Sequence, residues 1–274
     1  MKRASINSFA FIAAVLFSVS ATFAQNEVAQ DTVDGITRRP ARAVVFQAAG
    51  PNSASIQSTV DQFRTAIGGA NNGNTPGPLA AGRREINWDG GGSTATSVVP
   101  TPFDGFLNGR GARFTTDGTG FVQAPASGLV ELFNNAGYAT IFSTFSPVRL
   151  FSPIDSNFTK SVFFVPGGLV PATTRAFGAV FTDVDTPDEN RPGNRRSDDS
   201  VIEYLDRRGR VLFKGTVPAS PGDGSLSFFG IIIEDPEIAS VKITAGAVPG
   251  ANDGRRADVV MMDDFIYAEP QPLY

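Results

Sequence analysis

The sequence predicts a mostly β chain, a jelly-roll-like antiparallel β-sandwich with one N-terminal amphipathic helix. Three observations carry this. From about Arg83 onward, short apolar or alternating runs recur between Gly, Pro, Asn and Asp, and 29 Gly and 19 Pro in 274 residues supply the turns. Only one stretch has substantial helical spacing. Strand-like runs follow one another without intervening helices, which favours a sandwich or jelly roll over βα units.

Residues 1–24 combine Lys2 and Arg3, the apolar run from Phe9 to Phe17, and small residues from Ser18 to Ala24. That order predicts a secretory signal cleaved after Ala24, and hence a secreted protein, extracellular or periplasmic. The apolar run falls short of the about 20 residues that cross a bilayer, and no later run reaches that length, so no membrane span is expected after cleavage. Residues 25–52 are polar and Ala-rich with basic Arg38, Arg39 and Arg42, and read as a loosely ordered lead-in in which Val44-Val45-Phe46 is a candidate edge strand. In 53–82, Ile56, Val60, Phe63 and Ile67 fall on one helical face, Ser53 or Ser55 can cap its start and Gly68-Gly69 its end. A Gly/Asn/Pro loop from Asn71 to Pro78 follows.

Residues 83–270 form the expected sandwich, with 271–274 as a tail. Phe177, Ala179 and Phe181 alternate with smaller or polar neighbours, as do Ala239, Val241 and Ile243, so each run is a strand with one face toward a core. Val201–Leu205 and Val211–Val217 read as a hairpin across Asp206–Arg210, and Phe228–Ile233 as a central strand buried on both faces. Residues 186–200 contain no large apolar side chain, which predicts a projecting loop, either a decoration or a ligand-gripping element. The glycines in FLNGRGARFTTDGTGF read as hairpin turns.

The string RREINWDG at 83–90, FTTDGTGF at 114–121, FSPVRLFSP at 145–153, FFVPG at 163–167, FGAVFTDVD at 177–185 and MDDFIYAEP at 262–270 resembles an uncharacterised family of secreted bacterial proteins. The last third, with LSFFGIII, IASVKITAG and DDFIY, is similar to the jelly-roll domains of PEP-CTERM-type surface proteins, although a sorting tail is missing after Pro270. The resemblance implies export and a jelly roll and names no substrate. In similar jelly rolls, carboxylates at a strand end and on the closing strand hold a structural calcium.

Composition excludes several chemistries. With neither cysteine nor histidine, the chain lacks Ser-His-Asp and Cys-His relays and the usual zinc ligands. A net charge of −4 gives no reason to expect nucleic acid or an anionic membrane as partner. Arginine far outnumbers lysine, which occurs only as Lys2, Lys160, Lys214 and Lys242. That bias fits either bidentate anion contacts or plain genome composition.

Three candidate sites remain. Asp183 and Asp185 leave one strand end on the same side, and with Asp264 beside Asp263 on the last strand they form the expected calcium set. The same carboxylates could instead pair with Arg or cap turns. Trp88, flanked by Arg84 and Asp89, is either a sugar-stacking platform or a core residue. Glu85, Asp89, Glu203 and Asp206 could supply a carboxylate-pair glycan hydrolase, although no spacing is diagnostic. The leading expectation is a secreted non-catalytic binding or surface-associated module with carbohydrate as ligand. A carboxylate hydrolase and a purely structural envelope component are the alternatives.

Overall fold

The computed structural model describes residues 42–185, 199–235, 237–252 and 258–273. The expected signal segment and most of the charged 186–200 loop lie outside the described residues.

In chain order the strands and helices are β1 (Ala43–Gly50), α1 (Ser53–Ala66), β2 (Arg83–Ile86), β3 (Ser97–Pro100), α2 (Leu107–Arg110), β4 (Ala112–Thr115), β5 (Gly120–Ala124), α3 (Ala126–Phe133), α4 (Tyr138–Ile141) and β6 (Leu150–Ile154). There follow β7 (Phe158–Phe163), β8 (Ala172–Thr173), β9 (Ala176–Thr182), β10 (Val201–Leu205), β11 (Val211–Thr216), β12 (Leu226–Ile233), β13 (Ser240–Thr244), β14 (Met261–Ala268) and β15 (Gln271–Pro272). The strands build an antiparallel sandwich. Its larger sheet has eight strands in the order β1-β12-β9-β14-β6-β5-β3, with β2 also on β14; its smaller sheet has five, in the order β11-β10-β13-β7-β4.

Helix α1 forms where the periodicity places it. Its stripe of Ile56, Val60, Phe63 and Ile67 is buried against Ala176, Val180, Leu226, Phe228 and Ile266 on the outer face of the larger sheet. Each such side chain contributes about 2 kcal/mol of transfer free energy. The cap differs from expectation: Asn52, one residue earlier, accepts from the Ser55 N–H at 3.2 Å. Close approach is possible because Gly178 and Gly230 face each other across β9 and β12, and a Cβ on Gly230 would meet Phe63 at 3.1 Å.

Helices α3 and α4 cover a second part of that outer face through Leu129, Tyr138 and Phe142 packed on Val122, Leu150 and Met261. The sequence expectation of one substantial helix missed them because each is too short to show a clear period. With both faces covered, β9 and β14 are buried at every position and β12 at all but one, which is why Phe228–Ile233 reads as continuously apolar.

Three other expectations are corrected in whole or in part. The candidate edge strand at Val44-Val45-Phe46 forms and runs longer than expected: residues 43–50 pair with β12 along its whole length, so this part of the 25–52 lead-in is regular structure. FTTDGTGF is not a hairpin: it carries the chain from β4 in the smaller sheet to β5 in the larger one. The β10–β11 hairpin forms as read, with a register irregularity at Tyr204/Leu205. The C-terminal residues are not a free tail, since Gln271 and Pro272 pair with β8.

Candidate functional site

Trp88 is fully buried, as its core alternative expects, and this corrects its placement in a sugar-binding face. Its indole stacks on Phe151 at 3.7 Å and 6°, meets Phe106, Phe114 and Phe265 edge-on, and donates from Nε1 to the Asp263 carbonyl at 3.1 Å. Its backbone takes the left-handed region at φ 61°, a cost for a bulky residue that this anchoring offsets.

Arg84 and Asp89 are likewise framework groups. Arg84 is fully buried and forks onto Glu269, with Nε and Nη2 each 2.6 Å from a carboxylate oxygen; its Nη1 donates to the Gly73 and Thr75 carbonyls at 2.7 and 2.8 Å. The pair ties the loop after α1 to the end of β14. The Asp89 carboxylate accepts from the Val148 and Arg149 backbone N–H groups and from Asn87 Nδ2, which fixes the 145–149 loop.

The calcium set is not brought together. On β9 and β14, Thr182 faces Met261, whereas Asp264 sits in the irregularity between Met262 and Phe265, opposite residues nearer Ala179. Asp183 is therefore roughly 10 Å from Asp264 along the strands. Asp185 lies at the surface, where partial burial of its carboxyl, helped by the nearby charge of Asp223, holds it above the usual range. Among the described residues no group of three or more His, Cys, Asp or Glu side chains could hold a metal ion.

Asp263 and Asp264 instead anchor a buried polar network. Asp263 accepts from the Phe145 and Ser146 N–H groups at 2.7 and 3.2 Å, and Asp264 from Ser146 Oγ at 2.6 Å and Arg64 Nη2 at 3.3 Å. Arg64 also binds Glu85, which Arg83 holds from the other side. Burial pushes Asp263 well above the carboxylate range, and its neighbour Asp264 adds to the shift. Asp264 is pushed up to about 6 by burial, against the opposing pull of Ser146 and Arg64.

The other hydrolase candidates are engaged too. Asp206 accepts from the Arg208 and Arg210 N–H groups and closes the β10–β11 turn, and Glu203 accepts from Lys214 at 2.9 Å.

The outer face of the smaller sheet is different. Helices α1, α3 and α4 pack on the larger sheet, and the residues alternating outward from β7 and β10 remain partly accessible. Register aligns Lys214, Glu203, Lys242, Lys160 and Thr115 in one unbroken row across all five strands. Beside it runs a second row of Thr216, Val201, Thr244 and Phe158. Sequence reasoning missed this surface. The signal was present as a central polar residue in each of VIEYL, VLFKGT, SVKIT and FTKSVF, but the register that lines them up is a long-range property.

No helix among the described residues is long and apolar enough to cross a membrane. No protein-family model, no curated protein and no solved structure matches the chain.

Proposed function

We propose that this protein is a non-catalytic, extracellular β-sandwich module that binds carbohydrate on the outer face of its smaller sheet. One contrast carries the reading: Glu85, Asp89 and Asp206 are held in framework bonds and leave Glu203 without a facing carboxylate among the hydrolase candidates, while this face presents accessible lysine, threonine and aromatic side chains. A flat, pleated face with hydroxyl and ammonium groups beside Phe158 offers what a sugar needs, polar partners for its hydroxyls and an apolar surface for its CH face. Export, expected from the N-terminal segment, would place the module where glycans are the abundant polymers.

The test is binding of the chain to a glycan array, with and without calcium, alongside measurement of reducing ends released from the bound glycans. Retention of glycan without release of reducing ends is the expected result. Release would overturn the non-catalytic reading, and failure to retain any glycan would overturn the carbohydrate reading.

A further inference from the structure

Lys160 on β7 and Lys242 on β13 are direct cross-strand partners. Like charges placed opposite one another in a sheet are destabilising. Neither lysine has an ion-pair partner among the described residues, whereas the next cation in the row, Lys214, is taken up by Glu203 at 2.9 Å. Arg113, at the far side of the sheet, is taken up by Asp104 at 2.6 Å. The centre of the face therefore carries two adjacent lysines without an ion pair of their own, since Glu203, which stands opposite Lys242 on its other side, is engaged by Lys214.

We propose that the Lys160–Lys242 pair is the anchoring point for a carboxylated polysaccharide. The inference rests on the open face being a carbohydrate-binding surface and specifies the charge of its ligand. Opposed Cα atoms in an antiparallel pair are about 5 Å apart, so the two ammonium groups can converge on one carboxylate. Each then makes a charge-assisted hydrogen bond, and the repulsion between them becomes attraction to the shared anion. Thr115 and Thr244, each partly accessible, lie beside the pair in register with Lys160 and with Val201 and Phe158 respectively, and supply hydroxyls for uncharged sugar positions. Phe158, two residues from Lys160 on the same side of β7, offers a ring edge to the adjacent sugar.

A nucleic acid fits less well. Phosphate backbones are held by dense basic stripes. Here the row also contains Glu203 and the chain has a net charge of −4 with a pI of about 5.0.

The experiment measures binding of the full chain to polygalacturonate, to neutral galactan and to duplex DNA by calorimetry, together with melting temperature. The variants are Lys160→Ala/Lys242→Ala, the stem-preserving Lys160→Gln/Lys242→Gln, and Lys214→Ala. The native chain is expected to bind polygalacturonate with an affinity that falls as salt is added. Both double variants should lose about tenfold or more, consistent with the loss of two charge-assisted contacts. Their melting temperature should be unchanged or raised, because the repulsion is gone. Lys214→Ala should bind nearly as the native chain does.

Native-like binding by a folded double variant would overturn the assignment of the pair. Equal binding of neutral galactan would overturn the charge inference and leave the carbohydrate reading standing. Binding of neither polysaccharide would overturn both, and tighter binding of DNA than of polygalacturonate would reassign the face to nucleic acid.

Discussion

Arg84 and Glu269 form a two-bond ion pair with both side chains buried, their bonds 2.6 Å each, and Nη1 of Arg84 reaches the Gly73 and Thr75 carbonyls. The pair sits where the strand carrying RREI meets the end of β14, so it locks the loop after α1 onto the closing strand. It is a fastening of the fold rather than a ligand contact.

Arg84→Met is therefore expected to destabilise the chain, since it leaves Glu269 buried without its countercharge. Removing one partner of a buried pair costs about 3–5 kcal/mol. For a domain of this size that is a fall of roughly 6–20 °C in melting temperature. Thermal unfolding followed by circular dichroism checks this. A melting point within a degree or two of the native value would contradict the clamp.

Trp88 is the only tryptophan, so its emission reports one site. A buried indole stacked on Phe151 should emit at short wavelength in the native state, shift to the red on unfolding, and stay unchanged when glycan binds. Trp88→Ala should cost about 3–5 kcal/mol, the range for deleting a large buried aromatic. Emission that changes with glycan binding while the fold is intact would return Trp88 to the binding surface.

Asp264 gives the fold a pH dependence of defined sign. Its carboxyl is pushed up to about 6 from the ordinary 3.8, with burial the first cause. Between those values the folded chain holds a proton that the unfolded chain has released, so stability falls as pH rises through the window. Asp263, buried beside it and also raised, acts in the same direction. Asp264→Asn should flatten the profile over this range, removing a change on the order of 2 kcal/mol. Urea unfolding of both chains across that range checks the slope.

Glu203 is the one anion in the lysine row and holds Lys214 at 2.9 Å. Glu203→Gln should free Lys214 and raise affinity for polygalacturonate about two- to fivefold, the scale of one exposed charge pair. Unchanged or weaker binding would argue that the polymer does not run along this row.

Much of the fold was legible because it rests on local periodicity. The stripe of Ile56, Val60, Phe63 and Ile67 and the alternation in 177–181 each report a face turned to a core, and the structure buries both, although α1 covers the other face of β9 as well. The site was less legible for two reasons. Trp88 sits among Arg84, Glu85, Asn87 and Asp89, a polar neighbourhood in sequence, yet its indole lies in the core at a left-handed bend just after β2, while Arg84 finds Glu269, 185 residues away. Similarly, Lys160 and Lys242 are unremarkable strand residues until register sets them side by side. Ligand-facing pattern in a sheet is written across strands, and a linear reading sees only along them.

Protection of lysines from acetylation, read by mass spectrometry on the native chain with polygalacturonate or neutral galactan present, tests the binding face most directly. Lys160 and Lys242 should be protected by polygalacturonate and not by neutral galactan, with Lys214 protected less. Equal acetylation of Lys160 and Lys242 with and without polygalacturonate, at concentrations where the polymer is bound, would contradict it.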